Sequence, residues 1–254
     1  MTDSWRLALG TLTAVPVRPP GTVDRDTART AMLLAPLAAL PLGLVVLVVG
    51  VLGRWLGLPP LLVAVLALGG VVAGNRAMHL DGLADTVDGL AASYDPERSL
   101  AVMKSGTSGP AGVAAIVLVL GAQAAGLAPL LTTTSGTVLA GLALCVSRGA
   151  LSLCCLRGVP SARPDGLGVL FAQTVPRSGA ALLWLVAAAV LAGVGATAGP
   201  AWWSGLVGVG CALVVVGLLL RHVVRRLGGV TGDVFGAAVE LAWPALLVGL
   251  LVSP

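Results

Sequence analysis

Long apolar runs broken by short polar segments dominate this chain. Runs near 31–52, 58–75, 110–132, 136–156, 179–197, 201–220 and 233–252 are each close to the roughly 20 residues a helix needs to cross a bilayer core. They predict about seven transmembrane helices, joined by polar segments too short to fold alone. Gly and Pro recur inside the runs, as lipid-embedded helices tolerate. Small residues at i, i+4 spacing, such as Ala192 and Ala196, let helices approach closely. The pattern predicts an all-α, polytopic membrane bundle forming one domain over 1–254.

Composition supports lipid as the solvent. Of the 254 residues, 57% are hydrophobic and only 10% charged, with a mean hydropathy of +1.00. A soluble domain carries about a quarter charged residues. The net charge of +4 comes from scattered Arg residues without a basic cluster, which excludes a nucleic-acid surface. The first apolar run begins near Ala31, too far in for a signal peptide. Cys145, Cys154, Cys155 and Cys211 lie inside apolar runs and read as small buried hydrophobes.

Charge then orients the bundle. With seven spans, the N-terminal segment, 76–109, 157–178 and 221–232 share one side and hold nearly all the Arg and Lys residues, whereas the opposite side holds only Arg54. By the positive-inside rule the N-terminus and these loops face the cytoplasm. Nearly all the acids fall on that side too. Arg148 and Glu240 lie in or near spans, where ionisable groups are costly. They read as partners of each other, or Arg148 as a contact to substrate phosphate.

The most informative stretch runs from His79 to Gly89, His-Leu-Asp-Gly-Leu-Ala-Asp-Thr-Val-Asp-Gly. On a helix, Asp81, Asp85 and Asp88 stand at i, i+4 and i+7 and form one stripe. Three like charges there repel, and no cation within the motif relieves them. A divalent ion would. Carboxylates without Cys, and with only one His, suit Mg²⁺, Mn²⁺ or Ca²⁺ rather than zinc, one ion or two, and Mg²⁺ normally adds substrate phosphates to its shell. His79 reads equally as a base, a phosphate contact or a packed side chain.

Two Gly-rich turns follow. Asp95-Pro96-Glu97 reads as a helix start, N-cap, Pro and first-turn acid. The short helix after it ends in Lys104-Ser-Gly-Thr-Ser-Gly109, either an anion cradle to which Lys104 adds a charge or a hinge into the next span. The second turn, Gly228-Gly229-Val230-Thr231-Gly232-Asp233, follows Arg221, Arg225 and Arg226. Asp233 reads either as the cap of the last span or as a site acid.

Taken in order, MHLDGLADTVDG, VMKSGTSGPAG, SRGALSLCCLRGVPSARPDGLG and RRLGGVTGDVFGAAVEL resemble the cobalamin (5′-phosphate) synthase family, and an opening LGTLTAVPV resembles that family's first segment. The likeness runs along nearly the whole chain. It implies a membrane enzyme, a ribazoletransferase of the cell membrane with its active site on the cytoplasmic side. Adenosylcobinamide-GDP would be the donor, α-ribazole or its 5′-phosphate the acceptor, GMP the leaving group and Mg²⁺ the cofactor. Asp81, Asp85 and Asp88 would be metal ligands. One of them, or His79, would take the proton of the attacking hydroxyl. Lys104, Arg148, Arg157, Gly229, Thr231 and Asp233 would contact substrate. One departure is visible: members usually carry an acid in the segment that here reads Lys104 to Gly109. Oligomeric state is open, a homo-oligomer included.

Two rivals remain. A CDP-alcohol phosphotransferase needs an Ala-Arg pair after its first Asp-Gly, whereas Asp81-Gly82 is followed by Leu83-Ala84-Asp85. A transporter would keep its ionisable residues near the bilayer midplane, whereas these cluster at span ends.

Overall fold

The computed structural model describes residues 1–198, 201 and 203–252. Two amphipathic helices open the chain, α1 (Asp3–Leu12) and α2 (Arg25–Leu33), followed by a single turn α3 (Ala35–Ala38) and then α4 (Leu40–Trp55). Next come α5 (Pro60–Gly74), α6 (Met78–Ala92), α7 (Pro96–Met103) and α8 (Pro110–Leu130). The rest comprises α9 (Thr134–Ser147), α10 (Ala150–Cys154), α11 (Leu167–Phe171), α12 (Arg177–Ala198), α13 (Ser204–Leu227) and α14 (Gly232–Leu251). Among the described residues the extended elements are all helical, with two isolated parallel bridges, Leu156 to Val175 and Ser161 to Val230.

Among the described residues, five helical segments are long and apolar enough to cross a membrane, α8, α9 with α10, α12, α13 and α14, and the bent pair α5 and α6 passes the same test taken together. The five match the last five predicted runs to within a few residues at the span starts. The first two runs differ from expectation. Run 31–52 divides into α2, α3 and α4, with Pro36 and Pro41 in the first turns of α3 and α4. A proline lacks the N–H that would continue a preceding helix, so only 16 residues remain as α4. Run 58–75 yields the 15-residue α5, after which the chain turns by 90° into α6.

Arg76 and Ala77 take left-handed φ values of 58° and 56°, a conformation that costs a non-glycine residue about 1–2 kcal/mol. The corner is held from outside it. The Ala14 N–H donates to the Gly74 carbonyl at 2.6 Å and the Arg76 guanidinium donates to the Gly10 carbonyl at 2.9 Å, tying it to α1 and the segment just after it.

Burial sorts the spans into layers. The α9–α10 segment and α14 are 83% and 72% buried over their most apolar stretch, whereas α8, α12 and α13 are only 22–28% buried. The first pair forms the centre and the others present Leu118, Leu182, Leu185 and Leu218 outward. In water such a surface would be unfavourable by about 25 cal/mol per Å²; facing lipid tails it costs nothing comparable. The cysteines sit in these interiors without disulfides among the described residues: Cys145, Cys154 and Cys155 are buried and Cys211 partly so.

Candidate active site

The acidic stripe is carried by α6, as its spacing predicts, but its three carboxylates meet different surroundings. Asp81 is exposed, Asp85 half-buried and Asp88 buried. Both oxygens of Asp88 are taken: the Gly109 N–H donates to Oδ2 at 2.6 Å and the Gly112 N–H to Oδ1 at 2.8 Å. These amides open α8, whose own N-cap residue is a glycine with no side chain to offer. A helix start leaves unpaired N–H groups and a partial positive charge. Asp88 therefore acts as a cap delivered from a neighbouring helix, and it leaves Asp81 and Asp85 as the stripe's acids without a hydrogen bond among the described residues.

Asp233 joins them from α14. The cap of this helix is Thr231, whose hydroxyl accepts from the Val234 N–H at 3.4 Å and donates to Asp233 Oδ2 at 3.2 Å. Asp233 thus occupies the first helical turn rather than the cap. A Cβ on Gly82 would stand 2.6 Å from the Asp233 carbonyl oxygen, and one on Gly236 would stand 2.8 Å from the His79 carbonyl oxygen. Glycine at both positions lets the α6 and α14 backbones touch. As a result Asp81 and Asp233 line one cavity of about 230 Å³.

Loops close the site. Arg163 reaches both ways: Nη2 donates to the Leu100 carbonyl at 2.8 Å, and Nη1 lies 3.9 Å from Asp233 Oδ2. Lys104 pairs with Asp165 at 3.2 Å, and that hydrogen bond and charge hold the exposed Asp165 carboxyl below the usual carboxylate range. An acid from the loop after α10 thus stands beside segment 104–109, which has none of its own. The hydroxyls of Ser105 and Thr107 lie 3.0 Å apart. Arg226 donates to the Leu90 and Ser93 carbonyls at 3.1 and 2.6 Å and stacks 4.2 Å from the Tyr94 ring centre, which closes the C-terminal end of α6. A cation there also opposes the negative helix end.

The second Gly-rich turn is not an open cradle. The Val230 N–H donates to the Pro160 carbonyl and the Ala162 N–H to the Val230 carbonyl, both at 2.9 Å, and Gly229 is pressed against Pro160 and Ser161. Gly229 serves packing. Arg157 is exposed, and its backbone N–H donates to Val175 at 2.9 Å. Asp95 caps α7 as predicted, accepting from the Glu97 N–H at 3.2 Å.

His79 also lines the cavity, yet its ring is buried behind it. Nδ1 lies 3.4 Å from Asn75 Nδ2 and 3.9 Å from Glu240 Oε1. Glu240 accepts from Gln123 Nε2 at 2.8 Å. Arg148 has no exposed surface and donates to the Leu144 carbonyl and the Ser147 hydroxyl at 3.2 and 2.8 Å. It does not line that cavity. The expected ion pair with Glu240 is not formed within 4 Å either. The guanidinium instead lies 5.8 Å from the Trp243 ring centre.

Sequence reasoning named Asp81, Asp85 and Asp233. It singled out the loop from Arg163 to Gly168 without giving Arg163 or Asp165 a role, and it did not identify the apolar cavity walls Met32, Leu151, Phe171 and Phe235, which arrive from α2, α10, α11 and α14.

A helical membrane bundle that gathers carboxylates from two crossing helices at one end, with basic loops above them, is built as a membrane-embedded enzyme for anionic substrates. The cobalamin-5-phosphate synthase family profile matches residues 4–251, and the chain belongs to that family, as an enzyme of cobalamin biosynthesis. It is 58% identical over 248 residues to a Nocardioides adenosylcobinamide-GDP ribazoletransferase, covering 98% of each chain. Proteins of the same name from Frankia casuarinae and Pseudomonas entomophila are each 38% identical; 98% of this chain is aligned in both, with 94% and 98% of the respective relatives. No solved structure matches it.

Proposed function

We propose that the chain transfers adenosylcobinamide phosphate from adenosylcobinamide-GDP to α-ribazole or α-ribazole 5′-phosphate, with release of GMP, on the cytoplasmic face of the cell membrane. Full-length similarity to ribazoletransferases supports the substrates. The observation that carries the site is the shared cavity of Asp81 and Asp233, opened by the glycine crossing of α6 and α14.

The donor set fits Mg²⁺. It offers carboxylate oxygens and no sulfur, and among the described residues no three acidic, His or Cys side chains close around one point. Mg²⁺ is bound this way, through one or two carboxylates plus substrate phosphates. Asp81 and Asp85 would hold it, with Asp88 fixing the α8 start beside them. When bound, the ion neutralises charge building on the diphosphate. The attacking hydroxyl of the ribose forms the new P–O bond as the bond to GMP breaks, and an in-line displacement of this kind needs positioning and charge balance above all. Its proton passes to a carboxylate at the cavity mouth, Asp81 or Asp233, which are within the same wall. His79 is less suited, because its ring is enclosed by Asn75 and Glu240.

The test is turnover by purified protein in liposomes with adenosylcobinamide-GDP and α-ribazole, with and without Mg²⁺, following GMP and the corrinoid product by mass spectrometry. Metal-dependent appearance of both in equal amounts is expected. Folded protein that yields neither product with either acceptor would sink the proposal and return attention to CDP-linked donors.

A further inference from the structure

The cavity that holds Asp81 and Asp233 is mostly apolar. Met32 of α2, Leu151 of α10, Phe171 of α11 and Phe235 of α14 form its walls, and the last two rings meet edge-on at 6.3 Å. Its polar side chains are the two carboxylates with Thr11 and His79. At about 230 Å³ it is smaller than the roughly 300–1,000 Å³ of drug-sized pockets. That space suits one flat bicyclic ring system and excludes a corrin macrocycle.

We propose that this cavity seats the heteroaromatic base of the acceptor nucleoside, so that the walls from α2, α10, α11 and α14 select the acceptor half of the reaction. The inference rests on the ribazoletransferase reading above. A dimethylbenzimidazole base is nearly all apolar edge and matches thioether, aliphatic and phenyl walls. Guanine, the other base in the reaction, carries donors and acceptors around its rim. Those of them that face Met32, Leu151, Phe171 and Phe235 would be left unpaired, and unpaired buried polar groups are costly. A base held by these walls leaves its ribose at the carboxylate side, where the attacking hydroxyl meets Asp81 and Asp233. The corrinoid and its diphosphate then approach from the exposed face, over Asp85 and the loops of Arg163 and Lys104.

Steady-state kinetics on Leu151→Phe, which fills the cavity, and Met32→Ala, which enlarges it, test the assignment, with α-ribazole binding followed separately by the fluorescence of its base. Leu151→Phe is expected to raise both KM and Kd for α-ribazole by about tenfold or more, the scale of one to two pocket methylenes. KM for adenosylcobinamide-GDP should stay within about twofold, since only the acceptor half is touched. Met32→Ala only removes volume, and it is expected to shift preference toward ribosides of a larger tricyclic base. A rise confined to the GDP-linked substrate would overturn the assignment, as would unchanged α-ribazole binding in folded Leu151→Phe. Wild-type protein that binds α-ribazole but never forms product would contradict the transferase reading and leave the pocket assignment standing.

Discussion

Asp85 and Asp88 stand one helical turn apart with the same side chain and different surroundings. Asp85 is half-buried on the same helix face as Asp81 and its side chain has no hydrogen bond among the described residues, so its oxygens are open to a ligand. Asp88 has both oxygens filled by the Gly109 and Gly112 amides. Asp85→Asn is therefore expected to lower turnover about 10²–10³-fold, the scale of removing one group that stabilises developing charge, with thermal stability unchanged. Asp88→Ala is expected to cost roughly 2 kcal/mol of stability, because two amides lose a charged acceptor, and to speed hydrogen exchange at 109–112. Equal activity losses in the two variants, with neither destabilised, would mean that Asp88 acts at the substrate. The Lys104–Asp165 pair is exposed at both ends, so its value lies in tethering two loops. Asp165's lowered carboxyl stays ionised at neutral pH, so the tether is present above the ordinary carboxylate range and is lost as pH falls through the lowered value. Asp165→Asn should accordingly speed exchange in 104–109 at pH 7 and leave global unfolding in place.

At the scale of elements, the α6–α14 crossing decides where the chemistry sits. Gly82 and Gly236 are what allow it, since a methyl group on either would meet the opposite backbone. A side chain there cannot be accommodated by a rotamer change, because the obstacle is main chain. Gly82→Ala is expected to push Asp233 away from Asp81 and lower turnover at least about tenfold, since small misplacements of catalytic groups have large effects. Insertion into the membrane should persist, because α8, α9, α12 and α13 are untouched. Normal turnover in a folded Gly82→Ala protein would show that the two acids need not share a wall. The α5–α6 corner contributes in the same way. Its left-handed residues turn the acidic helix across the end of the bundle, and the N-terminal segment holds the turn in place.

At the scale of the whole molecule, the distribution of basic residues sets the proposed orientation, with the acids facing the cytoplasm. Nearly all Arg and Lys residues lie in the N-terminal segment, 76–109, 157–178 and 221–232, and Arg54 lies in the last turn of α4. Arg54 there donates to Thr134 and Thr137 at 2.8 and 3.4 Å, joining the ends of α4 and α9. A cysteine at Leu56 should react with an impermeant thiol reagent only from outside the cell, and one at Glu97 only from the cytoplasm. Labelling of both from one side would overturn the proposed orientation.

The hydrophobic pattern by itself determined the five C-terminal spans, because the length of a membrane crossing is set by bilayer thickness and is therefore local. It also determined the acidic stripe, since helical spacing is a property of a single element, and Asp95 as a cap. It did not show where the first two runs break: mean hydropathy registers apolar content but not the prolines and the Asn75–Ala77 corner that interrupt the helix. Only the tertiary structure decided that Asp88 caps α8, that Asp165 stands beside the acid-free loop, that Arg148 is sealed inside, and that Gly229 packs rather than cradles. Each of these depends on which segment lies opposite, often sixty or more residues away. Contact partners of that kind are fixed by packing of whole helices, and no local pattern in the chain encodes them.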